Sequence, residues 1–311
     1  MRVTNSSTAR NYINNLNSNL EYLTKLQDQQ SSGQKLRHPS DDPFGVSRTI
    51  NLNDTINRNR QYAENIEDAT NWINTSDDAL DKISSYLLRI STQINDASNG
   101  SNSGTELYAF KAEVQECIEG IVDMVNTNYN GNYIFGGYKT GQKPLEAVRS
   151  DGEITGELTN SGDNNMIERE ISPGVTASIN TTTDQILGLD GSLSEDLGTT
   201  FKNIMEALTD PAKRGNLSSD DPAYSFIDKI NAARDNISRL RAQVGARQNR
   251  MKAASSRNEV EIQNMTKILA KTADVDIAEI SIQVNVALAA YNSSLMVGAQ
   301  ILQPSLISFL D

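Results

Sequence analysis

Residues 66–97 read IEDATNWINTSDDALDKISSYLLRISTQINDA. Ile66, Ile73, Leu80, Leu87 and Ile94 stand seven apart, and Ala69, Ser76, Ile83, Ile90 and Ala97 form a companion row three residues on. Two rows at heptad spacing lay a narrow apolar seam along one side of a helix, as in a coiled coil. Upstream, Asp42 followed by Pro43 has the form of an N-cap with proline at the first helical position. Downstream, Asn99-Gly100-Ser101-Asn102 breaks the pattern. The spacing therefore predicts one helix over 43–98, roughly 80 Å long. A second helix is expected from Glu106 to Asn128, with Leu107, Val114 and Ile121 in one row and Phe110, Ile118 and Val125 beside it. The short loop between the two makes an antiparallel hairpin.

Beyond Gly136-Gly137 the texture changes to Gly, Thr, Asn and Ser. Asp151-Gly152 is a hairpin-turn signal. Ile167–Ile171 and Val175–Ile179 alternate on either side of Ser172-Pro173-Gly174, again a hairpin. Helical spacing returns at Phe201, Ile204, Met205 and Leu208, and a long helix is expected from about Tyr224. One of its rows is Ile230, Ile237, Val244 and Met251; the other is Phe226, Ala233, Leu240 and Arg247. The rod seam is assigned to Ile66, Ile73, Leu80, Leu87, Ile94, Ile230, Ile237 and Val244.

Both ends of the chain carry stripes of the same kind. Ile13, Leu16, Leu20 and Leu23, with Leu26 alongside, precede a helix stop at Gly33. Val284, Leu288, Tyr291, Leu295, Gly298 and Leu302 are spaced 4, 3, 4, 3, 4, and Pro304 and Leu306 follow. The fold expected is mainly α: a discontinuous, coiled-coil-like rod of long helices built from both termini, with a small β-rich domain inserted in the middle. The parts are residues 1–40 with 270–311 as a terminal assembly domain, 41–140 with 197–269 as the helical rod, and 141–196 as a β-rich outer domain. Few large side chains on a narrow stripe do not offset the entropy of ordering some thirty residues, and isolated helices are marginal in water. Residues 1 to about 35 and 275 to 311 are accordingly expected to become helical only on assembly. Ile13, Leu16, Leu20, Leu23, Val284, Leu288, Tyr291, Leu295, Leu302 and Leu306 form the expected assembly interface. Gln27, Gln30 and Arg247 occupy would-be seam positions and are candidates for register control as much as plain surface residues.

Composition narrows the function classes. Only 37% of the 311 residues are hydrophobic and 5% aromatic, with net charge −12. A mean hydropathy of −0.50 and a pI near 4.7 fit narrow buried faces and an acidic surface, which repels phosphate backbones. No nucleic-acid partner is expected. No uninterrupted run approaches the ~18 apolar residues of a membrane span, so no membrane partner is expected either. The N-terminus lacks the apolar core of a cleaved secretory signal. The one histidine, His38, precedes Pro39, and the one cysteine, Cys117, lies beside Val114, Ile118 and Ile121. That leaves no histidine cluster for zinc and no Ser-His-Asp set. Asp41-Asp42, Asp77-Asp78 and Asp220-Asp221 read as helix-end charges, and Gly136-Gly137 lacks the remainder of a phosphate-cradling loop. No catalysis, cofactor or metal is expected.

Several segments carry a resemblance. Ser31-Ser32-Gly33-Gln34-Lys35-Leu36-Arg37-His38-Pro39-Ser40-Asp41-Asp42-Pro43 resembles the stretch after the first helix in the flagellin superfamily. Arg2-Val3-Thr4-Asn5, the run Tyr133-Ile134-Phe135-Gly136-Gly137-Tyr138-Lys139-Thr140, Ala290-Tyr291-Asn292 and Ile301-Leu302-Gln303-Pro304-Ser305-Leu306 are similar to it as well. Pro39-Ser40-Asp41-Asp42-Pro43-Phe44-Gly45 stands where filament flagellins usually have Ala-Asp-Asp-Ala-Ala-Gly, and this points to the hook–filament junction branch; His38 replaces the Asn common nearby. The resemblance implies a structural protein of the bacterial flagellum, outside the cell at the hook–filament junction, exported without a cleaved signal peptide. It implies as partners further copies of the chain in a closed ring of about eleven, hook-associated protein 1, flagellin, an export chaperone and the type III export apparatus. The other readings are a flagellin filament subunit, a soluble signalling coiled coil and an enzyme of unknown type.

Overall fold

The computed structural model describes residues 5–36, 38–40, 42–98, 104–150, 152–210 and 225–301. Among them the elements are α1 (Asn5–Ser32), α2 (Pro43–Ala97), α3 (Gly104–Val125), β1 (Asn128–Tyr129), β2 (Asn132–Tyr133), β3 (Leu145–Ser150), β4 (Glu153–Asn160), β5 (Glu168–Ser172), β6 (Val175–Ser178), α4 (Thr183–Leu187), α5 (Leu197–Thr209), α6 (Phe226–Ala273) and α7 (Ile277–Ile301). The fold is mainly α, with a small strand-bearing region in the middle.

Local chemistry sets the boundaries. The Asp42 carboxylate accepts the Phe44 N–H at 3.1 Å, so α2 opens on a side-chain cap with Pro43 at its first position. Gly33 closes α1 in the left-handed region, φ +69°, where a Cβ would be strained. The α3 helix stops at Val125, short of the expected Asn128. Asn130 and Gly131 both take positive φ and turn β1 into β2. That Asn-Gly pair is a hairpin signal of the strongest sort, and the helical period ahead of it obscures it. The other two hairpins turn at 151–152 and at Pro173-Gly174, each bracketed by a paired register, Ser150↔Glu153 and Ser172↔Val175.

The chain divides into two compact units, residues 1–59 with 260–311 and residues 60–259. This differs from the three parts expected, since the β region does not stand apart. Its Leu145, Ile154, Ile171, Ala177 and Ile179 join the same buried cluster as the helices. A two-stranded hairpin cannot cover its own apolar face, so each of the larger hairpins is laid on helices. Lys111 of α3 pairs with Glu153 at 2.6 Å, and Tyr62 and Asn65 of α2 bond Glu170.

In the unit 60–259 the seam is continuous. Ile66, Ile73, Leu80, Leu87, Ile94, Ile230, Ile237 and Val244 are all buried. The α3 helix runs antiparallel to α2, with Arg89 paired to Glu113 and Tyr86 lying over Gly120. The α6 helix is antiparallel to α2 as well: Arg241 bonds Asp77 at 3.1 Å and Asp81 at 2.6 Å, and Gln248 bonds Asn74 at 3.0 Å. Arg247 stays out of the seam. It donates to the Asn180 carbonyl at 2.6 Å, and burial pulls its guanidinium below the usual arginine value.

Candidate assembly interface

The unit formed by the two ends is built differently. The segment after α1 and the segment before α7 are tied by two backbone hydrogen bonds, Lys35 N–H to Ala273 O at 2.6 Å and Val275 N–H to Gly33 O at 3.0 Å. From there α1 and α7 run antiparallel. Gln30 Nε2 donates to Ser281 Oγ at 3.1 Å, Asn19 Nδ2 to Ser294 Oγ at 3.2 Å, and Tyr12 Oη to the Ser294 carbonyl at 2.9 Å. Asn5–Ser32 and Ile277–Ile301 are thus helical within the single chain, which differs from the expectation that these segments form only on assembly. The reason is that each gives the other one stripe to cover. That stripe is thin: the buried cluster holds Leu23, Leu26, Ile280 and Ala287, with Val275, Val284 and Tyr291 packed against it.

The faces that meet are rotated from those the largest residues suggest. On α1 the row toward α7 contains Tyr12, Asn19, Leu23, Leu26 and Gln30. On α7 it contains Ile280, Val284, Ala287, Tyr291 and Ser294. Of the residues assigned to the interface, Leu23 is buried, Leu16, Val284 and Tyr291 are half-buried, and Ile13, Leu20, Leu288 and Leu295 are exposed. Leu302 and Leu306 lie outside the described residues. Gln27 is exposed, whereas Gln30 makes the contact just described. Sequence reasoning missed Ile277, Ile282, Val286, Met296 and Val297, which α7 also leaves exposed. Their signal is the helix's mean apolarity, not its periodicity. Polar residues interrupt α7, so a search for unbroken runs passes over it; yet by length and composition Ile277–Ala299 is apolar enough to cross a membrane, and little of it is buried.

The remaining candidates for chemistry are structural. Cys117 is buried in the core, and burial pushes its thiol up, away from thiolate. Asp163, against the opposing effect of burial, is held below the usual carboxylate range because it accepts the N–H groups of Tyr138 at 2.8 Å and Asn165 at 3.1 Å. It anchors the Gly136-Gly137 loop, and a Cβ on Gly137 would collide with it. Among the described residues no group of three His, Cys, Asp or Glu side chains is placed to hold a metal ion.

Comparison with known proteins places this architecture. Residues 3–140 match the bacterial flagellin N-terminal helical region, and residues 227–310 match the bacterial flagellin C-terminal helical region. The flagellar hook-associated protein 3 of Salmonella typhimurium is 28% identical over 244 residues, 74% of each chain, and that of Escherichia coli K12 is 25% identical over 269 residues, 84% of each. The crystal structure of hook-associated protein 3 from Legionella pneumophila covers 71% of this chain and 97% of its own with a TM-score of 0.60 at 13% identity, a likeness of fold. With both helical regions matched over residues 3–140 and 227–310, the chain belongs to the flagellin superfamily.

Proposed function

We propose that this chain is a structural subunit of the bacterial flagellum at the hook–filament junction, where copies close into a ring between hook-associated protein 1 and flagellin. The observation that carries the reading is the uncovered apolar surface of α7. Ile282, Val286, Leu288, Leu295, Met296 and Val297 face solvent in the single chain, and exposed patches of that kind mark interaction sites. Relatives called hook-associated protein 3, matched over 74% and 84% of their length, favour the junction, and equal neighbours in a closed ring supply cover for every copy at once. On this reading the role is mechanical, no residue acts as a catalyst, and the chain reaches its place through the type III export apparatus with an export chaperone. Deleting the gene from a motile strain tests it: hooks intact, filaments lost and flagellin spilled into the medium are expected, and normal swimming refutes it.

The match of both ends to flagellin helical regions favours a second reading, a filament subunit. Electron microscopy of the purified chain separates the two. A filament subunit polymerises alone into long fibres; a junction subunit does not.

A further inference from the structure

The α7 helix is apolar on most sides, and such a helix has no face that burial alone selects. It nonetheless turns a row of mostly modest side chains to α1, and Leu288, Leu295 and Met296 face away. What distinguishes the chosen face is a notch. Gly298 is buried, and a Cβ there would sit 2.0 Å from Tyr12 Oη and 2.2 Å from its Cζ. The Tyr12 ring fills the space a side chain would occupy, and its hydroxyl reaches one turn back to the Ser294 carbonyl at 2.9 Å. Sliding α7 by a turn, or rotating it to present Leu295 or Met296, puts a side chain where the ring lies.

We infer that Tyr12 seated on Gly298 is the register-determining contact of the terminal helix pair. It sets which face α7 gives to α1, and so which apolar residues remain for sibling subunits. The first statement rests on geometry alone; the second rests on the assembly role proposed above. Tyr12 and Gly298 are positioning residues, acting through the faces they leave exposed.

Cross-linking of the full-length chain tests this. With Cys117→Ala as background, cysteines are placed by Asn19→Cys and Ser294→Cys, positions whose side chains are in hydrogen-bond contact across the pair. Oxidised glutathione then reports alignment as an intramolecular disulfide. The parent is expected to close rapidly. Gly298→Leu is expected to slow closure by about tenfold or more, because the effective concentration of the two thiols falls when register is lost. Tyr12→Ala combined with Gly298→Leu moves the bulk to the other helix and is expected to recover most of the rate. Tyr12→Phe keeps the ring in the notch and is expected to close within about twofold of the parent. Parent-like closure in Gly298→Leu, no recovery in the exchanged pair, or a loss in Tyr12→Phe as large as that in Gly298→Leu overturns the assignment. The same variants, without the added cysteines, are introduced into the deletion strain. Recovered cross-linking without recovered swimming would count against the junction role and leave the register assignment standing.

Discussion

Replacing Leu288 and Leu295 together by asparagine separates folding from assembly. Leu288 is 41% exposed and Leu295 43%, so roughly four-tenths of each side chain remains to be covered by a neighbour. Full burial of a leucine is worth about 1.5–3 kcal/mol, so each has about 0.6–1.3 kcal/mol still to gain. The pair contributes about 1.3–2.5 kcal/mol per contact, and at about 1.4 kcal/mol per decade its loss weakens the contact about eight- to sixtyfold. Burying two amides without partners adds to the penalty. The isolated chain loses what the already covered part of each side chain contributes, but only in the terminal unit; the seam of residues 60–259, which dominates the main unfolding transition, is untouched. The assay has two arms. Thermal unfolding of the purified variant is expected to match the parent, while the variant in the deletion strain is expected to swim poorly and to release flagellin into the medium. Wild-type swimming refutes the claim that these leucines are assembly residues. A large fall in the unfolding temperature refutes the claim that they are free in the single chain.

Leu80 gives the opposite result. It is fully buried in the seam, and Leu80→Ala is expected to cost about 2–5 kcal/mol, read as a lower unfolding temperature; an unchanged one contradicts the packing. Asp163 should make the Gly136-Gly137 loop acid-sensitive. Its carboxyl titrates below the ordinary aspartate value of 3.8, so the stability it adds is complete well above that value and is lost as pH falls through the lowered one. Asp163→Asn should be less stable than the parent at neutral pH and approach it in strong acid, with a constant difference across pH as the contrary result. Finally, amide exchange should be fast along α1 and α7 and slow along the seam of α2 and α6, because so few apolar side chains close the terminal pair. Strong protection at both ends would remove the physical basis for the assembly reading.

The long elements were legible because their determinants are local or strictly periodic. The heptad rows of α2 and α6, the Asp42-Pro43 start, the Gly33 stop and the Pro173-Gly174 turn each depend on a handful of neighbouring residues. The face that α1 and α7 turn to each other was not legible. Periodicity marks where large apolar residues stand, and a helix covered on one side by its own chain and on others by neighbours carries several overlapping stripes. The apolar stripe put Leu20, Leu288 and Leu295 on the surface for neighbouring copies, and it left unread that α1 and α7 meet through Tyr12, Asn19, Ala287 and Ser294. Small and polar residues at a contact reveal nothing in a hydropathy pattern; only the partner's shape gives them meaning. The attachment of the β region to the helices was illegible for a similar reason. It runs through side-chain bonds to backbone, such as Arg247 and Asn236 of α6 to the carbonyls of Asn180 and Gln185, which no spacing rule encodes.

The contrast between the two units argues for what each is for. The unit of residues 60–259 closes on itself, with one buried cluster that gathers helices and hairpins alike. The unit of the two ends buries four side chains together and leaves large apolar residues outside. A protein selected only for its own stability would exchange Ile282, Val286 and Met296 for polar residues at little cost to the fold, because they are 65%, 64% and 73% exposed. Their retention on the helix that also carries the Tyr12 notch is intelligible if the single chain is an intermediate. The notch then holds α1 and α7 in alignment, and neighbouring copies supply the remaining contacts. If neighbouring copies complete the pair, as proposed above, it needs to be weak enough to adjust as they dock, yet specific enough to present the same face each time. A thin stripe with one shape-selective contact meets both requirements; a broad leucine interface would meet only the second.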